Sequence, residues 1–574
     1  MVSWNYADVF EAVADRVPDR PALIHGNRVT TWGQFERRAN ALAADLLASG
    51  LGHQSRVGIY TTNCSEYLET QSAAMKVAMV PFNVNFRYGP DEVGYLLNDA
   101  PAEAVVVAAR FLDVLAATRD RLPGLRRVYV LADEAADGTR GVLDPGSLPD
   151  WATPYESVVG PGADRAATSW GRTGDDIVQL YTGGTTGMPK GVLWRQHDLF
   201  VVSGCVGQPA IDIPIAETVE AMADRAERPG NPYVLITGSP LMHGTGQFTS
   251  MLALTTGGAV ITLTGASFDP AELLDAIDRN RATTLVIAGQ AFAMPLLAEL
   301  EAHPGQRDLS SLVLVISSGV MWSQVNKEGL LRHMPGVILY DSLGSSEAIG
   351  LGASVTTSET SATTADFVLG PDVAVFTEDG RRVEPGSGEA GLLATSGNIP
   401  LGYHGDEAKT AATFPTIEGR RWSMPGDWAE VRADGSLHLL GRGSVCINTG
   451  GEKVFPEEVE EALKLHPAVA DAVVVGLPDD RFGEIIVAVV ETAGPTTADG
   501  VTDVTDARSG AGGLPTDELD RLVREHLAPF KVPRRWVLVD TIGRAPNGKV
   551  DYRGLRALAT ERLAGTGSAT ATSK

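Results

Sequence analysis

Short β-branched runs alternate with helical patterns along most of the chain, and this alternation restricts the fold more than any other feature. "RVGIYTT" (56–62) precedes "SEYLETQSAAMKVAM", and "AEAVVVAA" (102–109) precedes "RFLDVLAATRDRL", with "RRVYVLAD" after it. Further on, "PYVLITGSP", "GAVITLTG", "TTLVIAG", "LVLVISSG" and "GVILYDSLG" are strand-like and are separated by patterns such as "DPAELLDAIDRN". Buried strands alternating with helices predict an α/β fold with largely parallel sheets. Polar or glycine-rich segments follow several of these strands, and open sheets of this kind bind ligands at their carboxyl ends.

At 574 residues the chain is too long for one core. Around 380–440 the pattern changes to short strands and turns, "GRRVEPGSGEAGLLATSG" and "DWAEVRADGSLHLLGR", in which "ADG" is a hairpin signal. After "GR" at 441–442 a separate α/β pattern begins, with "FPEEVEEALKLHP", "VADAVVVGLPD", "GEIIVAVVET", "TDELDRLVREHLAPF" and "RRWVLVD". The expected division is a large domain over 1–441 and a small one over 442–574, with a polar tail disordered from about residue 564. Residues 493–516 read as a mobile acidic insertion, and 214–232 as a second insertion.

The net charge of −25 argues against a binder of nucleic-acid backbones, which needs a basic face, but leaves room for a locally positive site for small anions. Cys64, Cys205 and Cys446 form no CxxC pair and give no zinc site. The start "MVSWNYADVFEAVADRVPDR" has no basic segment followed by an apolar core, and no stretch approaches 18 uninterrupted apolar residues. A cytoplasmic protein with no transmembrane segment is expected.

"YTGGTTGMPKGVLW" (181–194) follows the strand-like "DDIVQL" and precedes a run that could begin a helix. Thr182, Gly183, Gly184, Thr185, Thr186, Gly187 and Lys190 could cradle phosphate with backbone N–H groups, hydroxyls and one charge. A tight surface turn is the bland alternative, and Pro189 before the lysine excludes a Walker loop. Five further stretches carry polar residues in loops: "PLMHGTGQ" (240–247) with His243; "SSGV" (317–320) with Ser318 and Gly319, paired with "YDSLGSSEAIG" (340–350); "RWSMPGDWAEV" (421–431) with Asp427; "GRGSVCINTGGEKVFPEEVEE" (441–461); and "APFKVPRRWVLVDTIGRAPNGKVDYRGL" (528–555) with Lys549. Taken singly, these read as a structural histidine, a helix cap, a turn aspartate, a solvated amphipathic helix and a surface lysine.

Taken together and in order, they resemble the adenylate-forming superfamily of acyl-CoA synthetases, aryl-CoA ligases, luciferases and peptide-synthetase adenylation domains. The phosphate-loop pattern T-[SG]-G-[ST]-T-G-x-P-K-G runs from Thr182 to Gly191. The resemblance implies a large domain of stacked, mostly parallel sheets with a distorted β-barrel, followed by a small mobile α+β domain. It implies that Glu347 holds Mg²⁺, that Ser346 touches phosphate, and that Asp341, Ser342, Leu343 and Gly344 lie beside the nucleotide. Leu343 stands where the family usually has an adenine-stacking tyrosine. Asp427 and Arg442 are implied at the ribose (Pro425 replaces the family threonine), His243 at the substrate carboxylate, and Gly450 and Gly451 at the channel for the CoA thiol arm. Lys549 is the implied adenylation lysine, and Ser444 occupies the hinge position where the family has Asp or Lys.

The implied chemistry is activation of a carboxylic acid by ATP to acyl-AMP, then displacement of AMP by coenzyme A, with the small domain turning between the two steps. Parts of the phosphate loop and of "GRGSVCINTGGEKV" resemble the actinobacterial fatty-acyl synthetase branch, some of whose members activate steroid side-chain acids. Gly244, Gly246 and Gly319 suggest room for a long or bulky apolar tail. An acyl-AMP ligase that loads a carrier protein and an aryl-CoA ligase remain alternatives, and a nucleotide-binding regulator that has lost catalysis is a further reading that the retained Glu347, Asp427, Arg442 and Lys549 oppose. The implied partners are a small carboxylic acid, ATP and CoA, with a homodimer allowed.

Overall fold

The computed structural model describes residues 3–566 apart from 136, 183–187, 208–212, 229–232, 266, 320–321, 361–365, 450–451, 480–481, 494–515 and 546–549. Among the described residues, the strands gather into three sheets of 15, eight and five. In the largest, Ala259–Thr262, Val234–Thr237, Thr284–Ile287, Leu314–Ser318 and Ile338–Leu343 run parallel, as the alternation predicts. Several are buried on both faces, which is why they read as continuous apolar runs.

Beyond Ile338–Leu343 the same sheet turns antiparallel through Gly352–Thr356, Asp366–Leu369, Leu437–Arg442, Asp427–Val431 and Ala390–Ser396. This stretch includes the short strands and turns expected around 380–440, and it joins the parallel part directly. The "ADG" hairpin forms, closed by Arg432 N on Ser436 O, with Gly435 at a φ of 84° that glycine adopts without strain.

The eight-stranded sheet holds the parallel strands Val80–Asn83, Arg56–Tyr60, Ala102–Ala108 and Arg127–Leu131. Ile177–Thr182 extends it and pairs antiparallel with Lys190–Arg195, so the glycine loop closes a hairpin. The run after the loop is therefore a strand rather than the start of a helix; the helix Gln196–Val202 begins only afterwards. The cause lies in its period of two, with Val192 and Trp194 turned inward and Arg195 outward.

The insertion at 214–232 includes the helix Val219–Glu227, capped by Thr218. It docks on the N-terminal helix Tyr6–Arg16: Arg16 pairs with Glu227 at 2.9 Å, and buried Arg225 donates to Cys205 O at 2.9 Å and Pro214 O at 3.0 Å. Most of the 493–516 insertion lies outside the described residues. In the five-stranded sheet of the small C-terminal domain, Val473, Val475 and Leu477 face the helix Tyr552–Thr566. Ala472 and Val474 face the helices Pro456–Lys464 and Thr516–His526. No described helix is long and apolar enough to cross a membrane.

Candidate active site

A cavity of about 670 Å³ opens at the carboxyl ends of the parallel strands, where the fold class predicts it. Strand periodicity builds one wall. Leu314, Ile316 and Ser318 face the cavity from one strand, and Tyr340 and Ser342 from its neighbour. The helix Gly244–Thr255 builds the opposite wall with Gly244, Thr245, Phe248, Thr249 and Leu252, spaced as one helical face. The polar lining includes Thr182, His243, Ser318, Gly319, Ser342, Gly344, Ser346, Glu347 and Arg442, and the apolar lining includes Phe248, Leu252, Leu314 and Ile316. From Ser318 to Leu314 the strand runs about 13 Å, and from Gly244 to Leu252 the helix runs about 12 Å.

Glu347 is held from three directions. Tyr403 Oη donates to its Oε1 at 2.8 Å, Ser423 Oγ donates to its carbonyl at 2.6 Å, and its own N–H donates to Ser345 Oγ at 3.2 Å. Trp194 Nε1 fixes the preceding Ser346 carbonyl at 2.9 Å. Burial, and then the charge of Glu347, push the Tyr403 phenol well above its usual range, so it stays a donor. Glu347 Oε2 has no hydrogen-bond partner among the described residues. Those residues contain no group of three His, Cys, Asp or Glu that could hold a metal ion by itself. A lone carboxylate with a spare oxygen suits a hard cation whose other ligands are phosphate oxygens and water.

Asp427 and Arg442 are cross-strand partners, with Asp427 Oδ1 at 3.1 Å from Arg442 Nε. The Asp427 charge raises the Arg442 pKa further, and Arg442 presents itself to the cavity. His243 is the N-cap of the helix Gly244–Thr255 and lines the cavity beside that helix's first residues.

Four expected nucleotide contacts, Asp341, Leu343, Lys190 and Asp427, do not line the cavity, and Asp427 meets it only through its partner Arg442. Asp341 and Leu343 lie on the strand face opposite Tyr340 and Ser342. Asp341 instead forms a buried ion pair with Lys327, whose ammonium lies 5.7 Å from the centre of the Trp322 ring. Burial pushes the Asp341 carboxyl up, against the pull of that lysine. Leu343 is partly buried and packs towards the apolar cluster of Leu351, Phe367 and Val375. Lys190 pairs with Asp406 at 2.5 Å and sits 5.8 Å from the centre of the Tyr403 ring.

The expected glycine gap also divides. Gly244 and Gly319 line the cavity, and a Cβ on Gly319 (φ 90°) would meet only Thr245 Oγ1, at 3.8 Å. A Cβ on Gly246 would instead lie 2.6 Å from Pro240 O and 2.8 Å from Ser239 O, so this glycine seats the helix against a turn and opens no space. Gly183, Gly184, Thr185, Thr186, Gly187, Gly450, Gly451 and Lys549 lie outside the described residues. Sequence reasoning missed Tyr403, Lys327 and Tyr340. Their partners are distant in the chain, and only the strand alternation around Tyr340 hinted that it faces the cavity.

Residues 10–404 match the AMP-binding enzyme family, and residues 458–549 match the AMP-binding enzyme C-terminal domain. The chain belongs to the AMP-binding enzyme family. It is 40% identical over 569 residues to the medium/long-chain-fatty-acid–CoA/3-oxocholest-4-en-26-oate–CoA ligase of Mycolicibacterium smegmatis, covering 98% of this chain and 97% of that protein. It is 39% identical to the 3-oxocholest-4-en-26-oate–CoA ligase of Rhodococcus rhodochrous, covering 96% of this chain and 95% of that protein. The crystal structure of the anthranilate CoA ligase AuaEII in complex with anthranoyl-AMP shares the fold, with a TM-score of 0.78 at 21% identity over 98% of this chain and 99% of that one.

Proposed function

We propose that the protein is an AMP-forming acid–CoA ligase that activates apolar carboxylic acids of medium or long chain, or bulky acids of the steroid side-chain type. The observation that carries this reading is a cavity lined both by polar groups, among them His243, Ser342 and Glu347, and by the apolar Phe248, Leu252, Leu314 and Ile316 of a helix and a facing strand. An acid whose carboxylate stands at His243 would lay its tail against Phe248, Leu252, Ile316 and Leu314. The names of the two ligases at about 40% identity support the same substrate class.

A carboxylate is a poor acceptor for a thiol, because direct attack would expel oxide. In the first step its oxygen attacks the α-phosphorus of ATP, the bond to the β,γ-phosphates breaks, and pyrophosphate leaves with the electron pair. In the second step the CoA sulfur attacks the acyl carbon and AMP leaves. The first step brings two anions together, so it needs positive partners more than acid–base groups. Mg²⁺, when bound, would neutralise phosphate charge. Glu347, held by Tyr403, would be its protein ligand. The N-terminus of the helix Gly244–Thr255 favours a carboxylate beside His243. In this reading Asp427 and Arg442 serve the ribose, and the glycine loop and Lys549 serve the phosphates.

The division at 441/442, with a small domain that turns about the Gly443–Ser444 segment between the two steps, is part of the same reading. The experiment is a chain-length series of fatty acids with steroid side-chain and aryl acids, read as acid-dependent pyrophosphate release. The apolar lining predicts rates that rise with tail length before levelling. A preference for benzoate-sized acids would replace the reading with that of an aryl-CoA ligase.

A further inference from the structure

Glu457 reaches back across the expected hinge. It belongs to the helix Pro456–Lys464, whose Val459 and Leu463 pack into the small domain's core with Ile447 and Val474. Its carboxyl lies instead against the end of the strand Leu437–Arg442: Arg442 N–H donates to Glu457 Oε1 at 3.3 Å. Gly441, with φ at 130°, approaches so closely that a Cβ there would collide with the Glu457 carboxyl oxygens. Glu457 Oε2 is buried and has no hydrogen-bond partner among the described residues. The connection between the two elements turns at Gly443, where a Cβ would collide with the Trp428 ring, so the strand end itself is firmly seated.

The charges around Glu457 favour its neutral form. Glu460 lies one turn along the same helix, and Asp427 faces it from the neighbouring strand. The Arg442 guanidinium is turned to Asp427. The positive charges of Lys464 and Arg544 act on Glu460 from beyond it, and Tyr552 Oη donates to Glu460 Oε1 at 3.1 Å. The adjacent Glu458 is turned away to Lys531 at 2.5 Å. Burial, and then the Glu460 charge, push the Glu457 carboxyl up to about 8.

We propose that Glu457 is a positioning residue that latches the small domain to the Gly441–Arg442 backbone while it carries a proton, and that turning of the small domain hands the carboxyl to water, where the proton leaves. The proposal rests on the domain division and movement put forward above. A carboxyl whose pKa is raised in the latched arrangement stabilises that arrangement fully below its pKa in the released state. The stabilisation is lost as pH rises through the latched value. The ratio of latched to released protein therefore falls by up to about tenfold per pH unit as pH approaches about 8, and levels above it.

The test uses the full chain with one dye on each domain, read by energy transfer between about pH 6 and 9.5 without substrate. The wild type is expected to show transfer that changes up to about pH 8 and then levels. Glu457→Gln, the same shape without a proton to lose, is expected to show transfer independent of pH over this range. Glu460→Gln keeps Glu457 but removes its nearest like charge, and should move the levelling point to lower pH; this keeps the proposal testable if the first variant does not fold. Where both half-reactions are measurable, their ratio should follow the same pH range in the wild type and stay flat in Glu457→Gln. Equal pH dependence in wild type and Glu457→Gln, or none in the wild type, overturns the latch. Acyl-CoA formation with pH-independent transfer leaves the functional reading standing and sinks the latch, and pH-dependent transfer without acyl-CoA formation does the reverse.

Discussion

The Tyr403 hydroxyl donates to Glu347 Oε1 over 2.8 Å and thereby joins two sheets beside the cavity. Tyr403 sits on the edge strand Gly402–Tyr403 of the eight-stranded sheet, pairing with Val192 just beyond the glycine loop. Glu347 follows the last parallel strand of the 15-stranded sheet. The strand that leaves the glycine loop and the carboxylate proposed for Mg²⁺ are thus set against each other through Tyr403 on the adjoining edge strand and through Trp194, which donates to the Ser346 carbonyl.

Tyr403→Phe keeps the ring under Lys190 and removes the donor. Groups that orient a metal ligand are worth about 10–100-fold in metal affinity, so the half-saturating Mg²⁺ concentration should rise about tenfold. Mn²⁺ binding followed by electron paramagnetic resonance, in the presence of ATP, reads the same shift without turnover. Unaltered metal affinity would separate Tyr403 from the site.

Lys327→Met should leave Asp341 as a buried carboxylate without its cation and cost about 3–5 kcal/mol in urea unfolding. The double variant with Asp341→Leu should recover much of that loss. Asp341→Asn is expected to change stability far more than the KM for ATP. A large rise in that KM at unchanged stability would return Asp341 to the nucleotide.

Leu252→Trp should fill part of the cavity's apolar side. Excluding about four methylenes forfeits about 3 kcal/mol, roughly a 100-fold loss in kcat/KM for long acids, with short acids spared. Equal losses for short and long acids would mean that the tail does not enter between this helix and the sheet.

Much of the architecture was legible because buried parallel strands are continuous apolar runs, and the loops that follow them collect the polar residues. His243, Ser318, Gly319, Ser342 and Glu347 all belong to such loops or strand ends. What matching a motif does not carry is the direction of a side chain. Asp341 and Leu343 sit in the same quoted stretch as Ser342, yet strand alternation sends them to the other face. Gly246 illustrates a second limit, since a glycine that opens space and one that permits close packing look alike until the Pro240 carbonyl is placed. Tyr403 and Lys327 depend on partners 56 and 14 residues away, which no local spacing reveals. The run after the glycine loop could be taken for a helix because it is short, and its period of two became decisive only with Ile177–Thr182 beside it.

Lys549→Ala should slow adenylate formation by about 100- to 1,000-fold, the usual effect of removing one preorganised electrostatic partner. Thioester formation from supplied acyl-AMP should stay within a few-fold of wild type. Equal losses in both half-reactions would contradict a role confined to the first.

The central claim is that one cavity makes an acyl-AMP and passes it to coenzyme A. The most direct test is AMP release by the purified protein with ATP, Mg²⁺ and an acid that supports pyrophosphate release, followed before and after CoA is added. Without CoA the account predicts about one acyl-AMP per site and then a stall, because the mixed anhydride is held away from water. On addition of CoA, AMP and acyl-CoA should appear together, steadily and in equal amounts. A protein that forms the adenylate with that acid and then ignores CoA would contradict the account and identify an enzyme that loads a different acceptor.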